Sequence, residues 1–170
     1  MIYLNIGSNL TSIFGDKLEN IKKSVIELTK LDIKIIKISS FYETPSYPDK
    51  KKPKFLNICI KLKTKLSPLS LLIKLKKIEK LIGRRKSQKN APRVCDIDIL
   101  DFNKQILDSK NLVIPHPKTH LRNFVLYPLK EIEPNWVHPI FNKKIDFFIS
   151  QLSLKSHIEI TRIKKNAIII

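Results

Sequence analysis

Residues 55–83 read FLNICIKLKTKLSPLSLLIKLKKIEKLIG, and the spacing of their apolar residues changes from every second position to every third or fourth. The alternation up to Lys65 predicts a strand with one buried face and one solvated, lysine-rich face. Ser67 and Pro68 predict the start of a helix, because serine caps helix N-termini and proline suits the first turn. Gly83 predicts its end. A strand leading into a helix indicates a mixed α and β protein.

Similar elements lie on both sides of this segment. A strand over residues 2–6 precedes a helix over residues 16–30, whose start is marked by Asp16 and Glu19. A strand with a bulge is expected over residues 33–42, and a further strand is expected over residues 95–100. The order β-α-β-β-α-β predicts an α+β, ferredoxin-like sandwich with a mainly antiparallel sheet. Additional C-terminal elements follow, with helices near 124–132 and 145–152 and a strand near 158–163.

The composition is that of an ordinary globular protein. The chain has 170 residues, of which 42% are hydrophobic and 28% charged. Its two cysteines, Cys59 and Cys95, fit no metal-binding or disulfide motif. The first residues do not resemble a signal peptide, and no apolar run is long enough to span a bilayer. We therefore expect a cytoplasmic monomer with one domain over residues 1–152, on which an extension of unknown role, residues 153–170, packs.

The charge of the chain is unusual in size and in distribution. The 33 Lys and Arg residues minus 15 Asp and Glu give +18. Residues 50–90 hold 15 of these cations and one acid, Glu79, which gives +14 and leaves +4 for the rest. The 28 lysines and 28 isoleucines are consistent with a genome-wide drift in amino-acid composition, in which case the charge has no function of its own. A concentrated charge fits a polyanion site equally well, and ATP, nucleic acid and an anionic membrane are all candidates.

Two aspartates form the sharpest local feature of the sequence. Residues 89–100 read KNAPRVCDIDIL, which predicts a strand with Asp96 and Asp98 on one face and Ile97 and Ile99 on the other. Adjacent carboxylates repel each other, and Mg²⁺ is a cation that suits one or two of them together with phosphate oxygens. The alternative is a strand face that is simply solvated.

The arginines concentrate beside the aspartate pair. Four of the five lie between positions 84 and 122, and the planar guanidinium suits polyphosphate oxygens better than lysine does. His116 lies between two prolines, which hold it in place for a phosphate contact. Packing is the alternative for each of these residues, and it is the interpretation we favour for the remote Arg162.

An amide and two aromatic residues form a second group. Phe55 and Asn57 share a strand face, and Phe124 begins a predicted helix. Aromatic residues are usually part of the core, but a ring beside an amide can also stack on a flat heterocycle while the amide contacts its edge.

Taken together, these motifs resemble the 6-hydroxymethyl-7,8-dihydropterin pyrophosphokinases of folate biosynthesis. The similarity runs over about residues 2–152. Its pieces occur in the family's order: IGSNL at 6–10, SSFYETP at 39–45, FLN at 55–57, PRVCDID at 92–98, PHP at 115–117 and RNFVLYPLKEI at 122–132.

The resemblance implies a ferredoxin-like enzyme that moves the terminal diphosphate of ATP to the hydroxymethyl group of a reduced pterin and releases AMP. It implies two Mg²⁺ ions held by Asp96 and Asp98, with Arg84 and Arg93 as the other catalytic residues. The implied ATP-binding residues are Lys76, Glu79, Arg84, Lys86, Arg93, Ile99, His116 and Arg122. The implied pterin-binding residues are Thr44, Pro45, Tyr47, Phe55, Asn57 and Phe124.

The resemblance also implies three loops that close over the substrates, at residues 7–14, 45–54 and 84–91. The third departs from the family pattern, because Asn90 and Ala91 stand where a tryptophan is common. Phe55 stands where many members have tyrosine. The expected partners are small-molecule substrates, without specific nucleic acid or membrane. The alternatives are a basic RNA-binding module on the same fold, which leaves the aspartates unexplained, and an inactive relative, which the intact aspartates argue against.

Overall fold

The computed structural model describes residues 1–85 and 91–163. Its strands are β1 (Ile2–Ser8), β2 (Ile33–Ile38), β3 (Phe41–Thr44), β4 (Phe55–Thr64), β5 (Asp96–Phe102), β6 (Leu107–Asp108), β7 (Val113–Ile114) and β8 (Thr161–Ile163). The main sheet has the order β5-β1-β4-β3-β8, with β2 also paired to β4, and these strand pairs are antiparallel. Strands β6 and β7 form a separate ribbon.

The helices begin and end where local chemistry places them. They are α1 (Lys17–Thr29), α2 (Pro68–Ile82), α3 (Asn123–Ile132), α4 (Ile145–Ser150) and α5 (Leu154–Ile158). The Asp16 side chain accepts hydrogen bonds from the backbone N–H groups of Leu18 and Glu19, and Ser67 accepts one from Ser70. Gly83 ends α2 with a φ of 108°, a left-handed conformation that favours glycine. The predicted caps of α1 and α2 are therefore confirmed.

Each face of the sheet carries its own apolar core. Even-numbered β1 residues such as Leu4 and Ile6 pack with α1 and α2, and the odd-numbered Tyr3 packs with α3 and α4. This alternation follows from the two-residue period of a strand. The sheet order and its antiparallel pairing confirm the predicted α+β, ferredoxin-like fold.

The prediction of a solvated second face on β4 is wrong for the first half of that strand. Helix α3 packs against this face, and Cys59 is fully buried there. Lys61 is only partly exposed and forms an ion pair with Glu133, which follows α3. Lys63 is exposed, as predicted. The strand alone could not show this, because the covering helix lies more than sixty residues away in sequence.

The single strand expected over residues 33–42 is two strands, β2 and β3. The predicted bulge is present as a register shift between Ile35 and Lys37. The break falls at Ser39 and Ser40, where Ser39 Oγ accepts a hydrogen bond from Cys59 N and both the N–H and the hydroxyl of Ser40 donate to Glu131. These bonds to other parts of the chain separate the two strands.

The C-terminal extension joins the sheet over its described part. Strand β8 pairs with β3, with Arg162 opposite Tyr42. The strand expected near 158–163 is shorter than predicted, because residues 154–158 form α5. The domain boundary at residue 152 stays a prediction, and residues 164–170 lie outside the described residues. Within the described ranges, no helix has both the length and the apolar character that a membrane span needs.

His138 offers a test of this packing. It is 2% exposed among Trp136, Phe141 and Phe148, and burial lowers its pKa to about 4. The unfolded chain therefore binds a proton near pH 6.5 that the folded chain binds only near pH 4, so stability falls as the pH drops through this window. Between pH 6.5 and 5 we expect this residue to account for up to about 2 kcal/mol of the loss in unfolding free energy.

Denaturant titrations of the parent and of His138→Asn at the two pH values measure this contribution. In the parent, His138 Nδ1 accepts hydrogen bonds from the backbone N–H groups of Ile140 and Phe141. Asparagine keeps an acceptor for these N–H groups but has no side chain that binds a proton in this pH range. The variant should lose less stability than the parent over the same interval. Equal losses in both proteins would contradict the assignment.

Candidate active site

Strand β5 presents its two carboxylates side by side. Asp96 and Asp98 are both partly exposed on one face, while Ile97 and Ile99 are buried on the other, as the alternation predicts. In the register with β1, Asp98 lies opposite Asn5 and Asp96 opposite Gly7. The carboxylates therefore stand on the same face of the sheet as Tyr3, the face against which α3 and α4 pack.

Two arginines neutralise Asp96. Arg93 donates to Asp96 Oδ2 at 2.7 Å, and an Arg84 guanidinium nitrogen contacts Oδ1. Arg84 follows α2 and Arg93 precedes β5, so each end of the intervening loop brings one cation to the same carboxylate. This arrangement confirms that the predicted arginine cluster and the aspartate pair are neighbours, while the catalytic roles stay predictions.

Asp98 has weaker counter-charges. Arg122 lies 3.7 Å from Asp98 Oδ2, and His116 Nε2 lies 3.9 Å from the same oxygen. Burial and the neighbouring Asp96 raise the pKa of the Asp98 carboxyl. Burial lowers the pKa of His116, and its Nδ1 accepts from Lys118 N at 3.1 Å, which leaves Nε2 facing the carboxylate. Arg122 also lies over the Phe124 ring, 5.4 Å from its centre.

The donor set fits a hard divalent cation. Burial, and to a smaller extent the charge of Asp96, raise the pKa of Asp98, and a cation between the two carboxylates would favour the ionised form of both. Among residues 1–85 and 91–163, no group of three His, Cys, Asp or Glu side chains forms a metal cage. Such a cation would therefore take its remaining ligands from water and substrate oxygens, which is the habit of Mg²⁺.

Glu79 is a buried carboxylate that connects α2 to the site. It is 2% exposed, and burial raises its pKa. Its Oε1 accepts from Ile97 N at 2.7 Å and from Arg84 at 2.5 Å, and Lys76 contacts both oxygens at 3.0 and 2.9 Å. Lys76 and Glu79 therefore form an i,i+3 ion pair. No sequence pattern predicted the hydrogen bond from Ile97 N, in the β5 backbone, to Glu79.

An open depression of about 500 Å³ lies beside these residues. It is lined by Lys76, Glu79, Lys80, Arg84 and Arg85. Four cations around one carboxylate suit a polyanionic ligand such as a nucleotide. Of the remaining predicted ATP contacts, Lys86 lies outside the described residues, and the Ile99 side chain is in the core, so that only its backbone can face a nucleotide.

A second group of predicted residues gathers around the end of β4. Asn57 is 2% exposed, and its Nδ2 has no hydrogen-bond partner among the described residues. Phe55 lies two residues before it, Thr44 pairs with Phe55 across β3 and β4, and Phe124 starts α3. A buried donor without a partner costs free energy, which a bound acceptor would recover.

Gly7 makes room for the Asn57 amide. A Cβ at Gly7 would lie 2.7 Å from Asn57 Oδ1 and 3.7 Å from the Phe55 ring. Any larger residue would therefore displace the amide. Of the other two predicted contacts, Pro45 is partly exposed, and Tyr47 is 83% exposed on the loop between β3 and β4.

A buried asparagine, Asn9, was missed as a site residue in the sequence. It is 3% exposed and hydrogen-bonds with the backbone of Arg93 and with the loop between β3 and β4. The sequence signals for Asn9 were its place in the IGSNL motif and in the loop expected over residues 7–14, and neither assigned it a contact.

The comparisons by sequence agree on one family. A model of 7,8-dihydro-6-hydroxymethylpterin-pyrophosphokinase matches residues 3–134. The 2-amino-4-hydroxy-6-hydroxymethyldihydropteridine pyrophosphokinase of Aquifex aeolicus is 41% identical over 154 residues, covering 91% of this chain and 93% of that protein. The protein of the same name from Bacillus subtilis is 36% identical over 131 residues, covering 76% of each chain.

A solved structure shares the fold. The Plasmodium falciparum HPPK-DHPS, crystallised with pterin and p-hydroxybenzoate, matches 95% of this chain with a TM-score of 0.70 and 19% identity. This chain spans 46% of that longer one. At this identity the match is evidence for the fold, and the family rests on the sequence comparisons.

Proposed function

Because the chain belongs to the 7,8-dihydro-6-hydroxymethylpterin-pyrophosphokinase family, we propose a role for each side of its site in that family's reaction. The protein is an ATP-dependent diphosphotransferase of folate biosynthesis: it transfers diphosphate from ATP to 6-hydroxymethyl-7,8-dihydropterin and releases AMP. The RNA-binding alternative has no support in the comparisons. The observation that carries the assignment of roles is the convergence of Arg84, Arg93, His116 and Arg122 on Asp96 and Asp98.

The phosphate side of the site is proposed to lie at β5. Arg84 and Arg93 would bind the transferred diphosphate, and His116 and Arg122 would bind the oxygens nearer to Asp98. All four face the aspartates from segments outside β5, so that one bound polyphosphate can touch each of them. Lys76 and the depression beside α2 would receive the rest of the nucleotide.

Asp96 and Asp98 are proposed to hold two Mg²⁺ ions together with the phosphates. Their oxygen donors, their adjacency and the raised pKa of Asp98 support this assignment. When bound, these ions supply charge neutralisation along the phosphate chain and at the attacking oxygen. The arginines that now contact Asp96 would then be available to the diphosphate.

The pterin side is proposed to lie at the end of β4. Phe55 and Phe124 would stack on the ring, Asn57 would donate its unpartnered Nδ2 to the polar edge, and the backbone near Thr44 would complete the contact. In the reaction, the hydroxymethyl oxygen bonds to the β-phosphorus and the bond from that phosphorus to the α–β bridging oxygen breaks. The residues hold the two substrates in line, with no covalent enzyme intermediate.

The state of the two cysteines bears on the cellular setting. Cys59 and Cys95 are both buried and unpaired, which supports a reducing compartment such as the cytoplasm. A monomeric state, and the absence of a specific nucleic-acid partner, stay predictions.

Asp98→Asn tests the phosphate side. The change keeps the shape of the side chain and removes its charge, so we expect the rate of pterin-dependent AMP formation to fall by at least about a hundredfold. The assay measures AMP and ADP from ATP with and without the pterin alcohol at saturating Mg²⁺. The exposed Asp108→Asn is the matched control and should keep the parent rate. Near-parent activity in Asp98→Asn would contradict the metal assignment, and ADP as the product would contradict diphosphate transfer.

Gly7→Ala tests the pterin side. The added methyl would displace the Asn57 amide, so we expect the KM for the pterin alcohol to rise by at least about tenfold, which corresponds to about 1.4 kcal/mol. The KM for ATP should change much less. Initial rates over a grid of both substrate concentrations measure the two constants. A variant with an unchanged KM for the pterin would show that Asn57 does not contact it.

Replacement of exposed lysines on β2 and β4 tests whether the charge of the chain has a nucleic-acid partner. Lys34 lies opposite Lys63, and Lys65 follows β4; all three are exposed. We expect duplex DNA and RNA to bind weakly at low salt and to be released as salt rises. Changing the three lysines to glutamine should reduce this retention on a filter and leave AMP formation within twofold of the parent.

Tight and sequence-dependent binding at physiological salt would contradict that expectation. Lys61 is left in place because its ion pair with Glu133 has a structural role.

A further inference from the structure

Asn5 is a buried polar residue that has no role in the proposed function. It lies in β1 two residues after Tyr3, on the face of the sheet against which α3 packs, and 4% of its surface is exposed. An apolar residue is the usual choice for such a position, because a buried amide is costly unless it forms hydrogen bonds. The partners of the amide therefore indicate what the residue does.

The neighbours of the Asn5 amide decide its orientation, since the oxygen and the nitrogen of an amide have nearly the same shape. When the nitrogen faces the carbonyls of Ile58 and Phe124, it donates to them at 3.2 and 3.3 Å. An oxygen in the same place would set one acceptor against two others. The other atom of the amide lies 3.5 Å from Asn57 Oδ1, a contact too long to reverse this choice.

The Phe124 carbonyl needs an outside donor because of a proline. Phe124 is the second residue of α3, and in a regular helix its carbonyl accepts a hydrogen bond from the N–H four residues later. That residue is Pro128, which lies inside the helix and has no N–H. The Asn5 amide thus supplies, from β1, the donor that the helix itself lacks.

This bond connects the first turn of α3 to the sheet beside the proposed pterin site. Phe124 carries one of the two rings proposed to stack on the pterin, and Ile58 follows Asn57, which would contact the pterin edge. The N–H of Phe124 donates to Asn123 Oδ1 at 2.7 Å. Asn123 therefore holds the amino side of Phe124, and Asn5 holds its carbonyl side.

We propose that Asn5 is a positioning residue for the pterin, which fixes the backbone of Phe124 relative to the end of β4 and thereby fixes where the Phe124 ring can stack. This inference rests on the proposed placement of the pterin. Without the Asn5 donor, the Phe124 carbonyl must move to find another partner, because an unpaired carbonyl is costly. The ring moves with it, and the pterin binds less tightly.

Asn5→Leu removes the donor at nearly constant side-chain volume. We expect the KM for the pterin alcohol to rise by at least about fivefold and the KM for ATP to stay within about twofold of the parent. Initial rates of AMP formation with Mg²⁺, over a grid of both substrate concentrations, measure the two constants. Asn5→Ala, which adds no apolar atoms beside Asp98, replaces this variant if Asn5→Leu does not fold. An unchanged KM for the pterin in the folded variant would overturn the proposal.

Trp136→Phe is the matched control for a loss of stability. It removes a buried hydrogen bond from Trp136 Nε1 to Asp101, in the core on the same face of the sheet. Neither residue is a proposed substrate contact, so the free energy of unfolding should fall while both KM values stay within about twofold of the parent. A rise in the pterin KM equal to that of Asn5→Leu would show that lost stability alone explains the effect, and the proposal would be wrong.

Pro128→Ala tests the route through the Phe124 carbonyl. Alanine restores the N–H four residues after Phe124, so the Asn5 donor is no longer needed there. In this background, Asn5→Leu should raise the pterin KM by less than about twofold relative to Pro128→Ala alone. An equal rise in both backgrounds would show that Asn5 does not act through this carbonyl, which also overturns the proposal.

Failure of the proposed function has different signatures. A parent protein that forms no pterin-dependent AMP would contradict the reaction. An unchanged pterin KM in Phe124→Leu would contradict the placement of the pterin, and the role of Asn5 with it. A raised pterin KM in Phe124→Leu together with an unchanged one in Asn5→Leu would overturn the role of Asn5 alone.

Discussion

Two like charges on neighbouring positions of one strand face are the constraint around which the site is built. Asp96 and Asp98 cannot be separated without changing the strand, so cations from elsewhere must compensate them. Arg84 comes from the end of α2, Arg93 from the residues before β5, and Arg122 from the start of α3. The compensation is uneven, because Asp96 has two close partners and Asp98 has only distant ones. Burial and the charge of Asp96 raise the pKa of the Asp98 carboxyl. That imbalance is what a bound cation would correct.

The edge position of β5 explains how α2 takes part although it lies on the other face of the sheet. In the order β5-β1-β4-β3-β8, one side of β5 has no strand partner among residues 1–85 and 91–163. Glu79 accepts the Ile97 N–H at this edge and holds Arg84 with the same oxygen. A buried carboxylate thus satisfies an edge N–H and directs a guanidinium towards the exposed face, two tasks that a residue packed against a central strand could not perform.

Local sequence signals predicted the elements and the aspartate face, because periodicity and caps act within a few residues. Asp16 and Ser67 cap their helices, and Asp96 and Asp98 share a face, as expected. The sequence did not predict what distant segments add: α3 covers Cys59, and Glu131 separates β2 from β3 through Ser40. Similarly, the resemblance named the residues of the site, but only the sheet register shows how close its two sides lie.

That register sets the geometry of the whole site through Gly7. Gly7 lies opposite Asn57 on β4 and opposite Asp96 on β5, so the three residues form one row across the sheet and face the same side. Adjacent strands are about 4.8 Å apart, which places the backbones of Asn57 and Asp96 roughly 10 Å from each other. The central position in this row must be small, because a Cβ there would lie 2.7 Å from Asn57 Oδ1 and 3.7 Å from the Phe55 ring. Gly7 is therefore required by the position of the Asn57 amide. Asn9, two residues later, hydrogen-bonds both with the backbone of Arg93 and with the loop between β3 and β4.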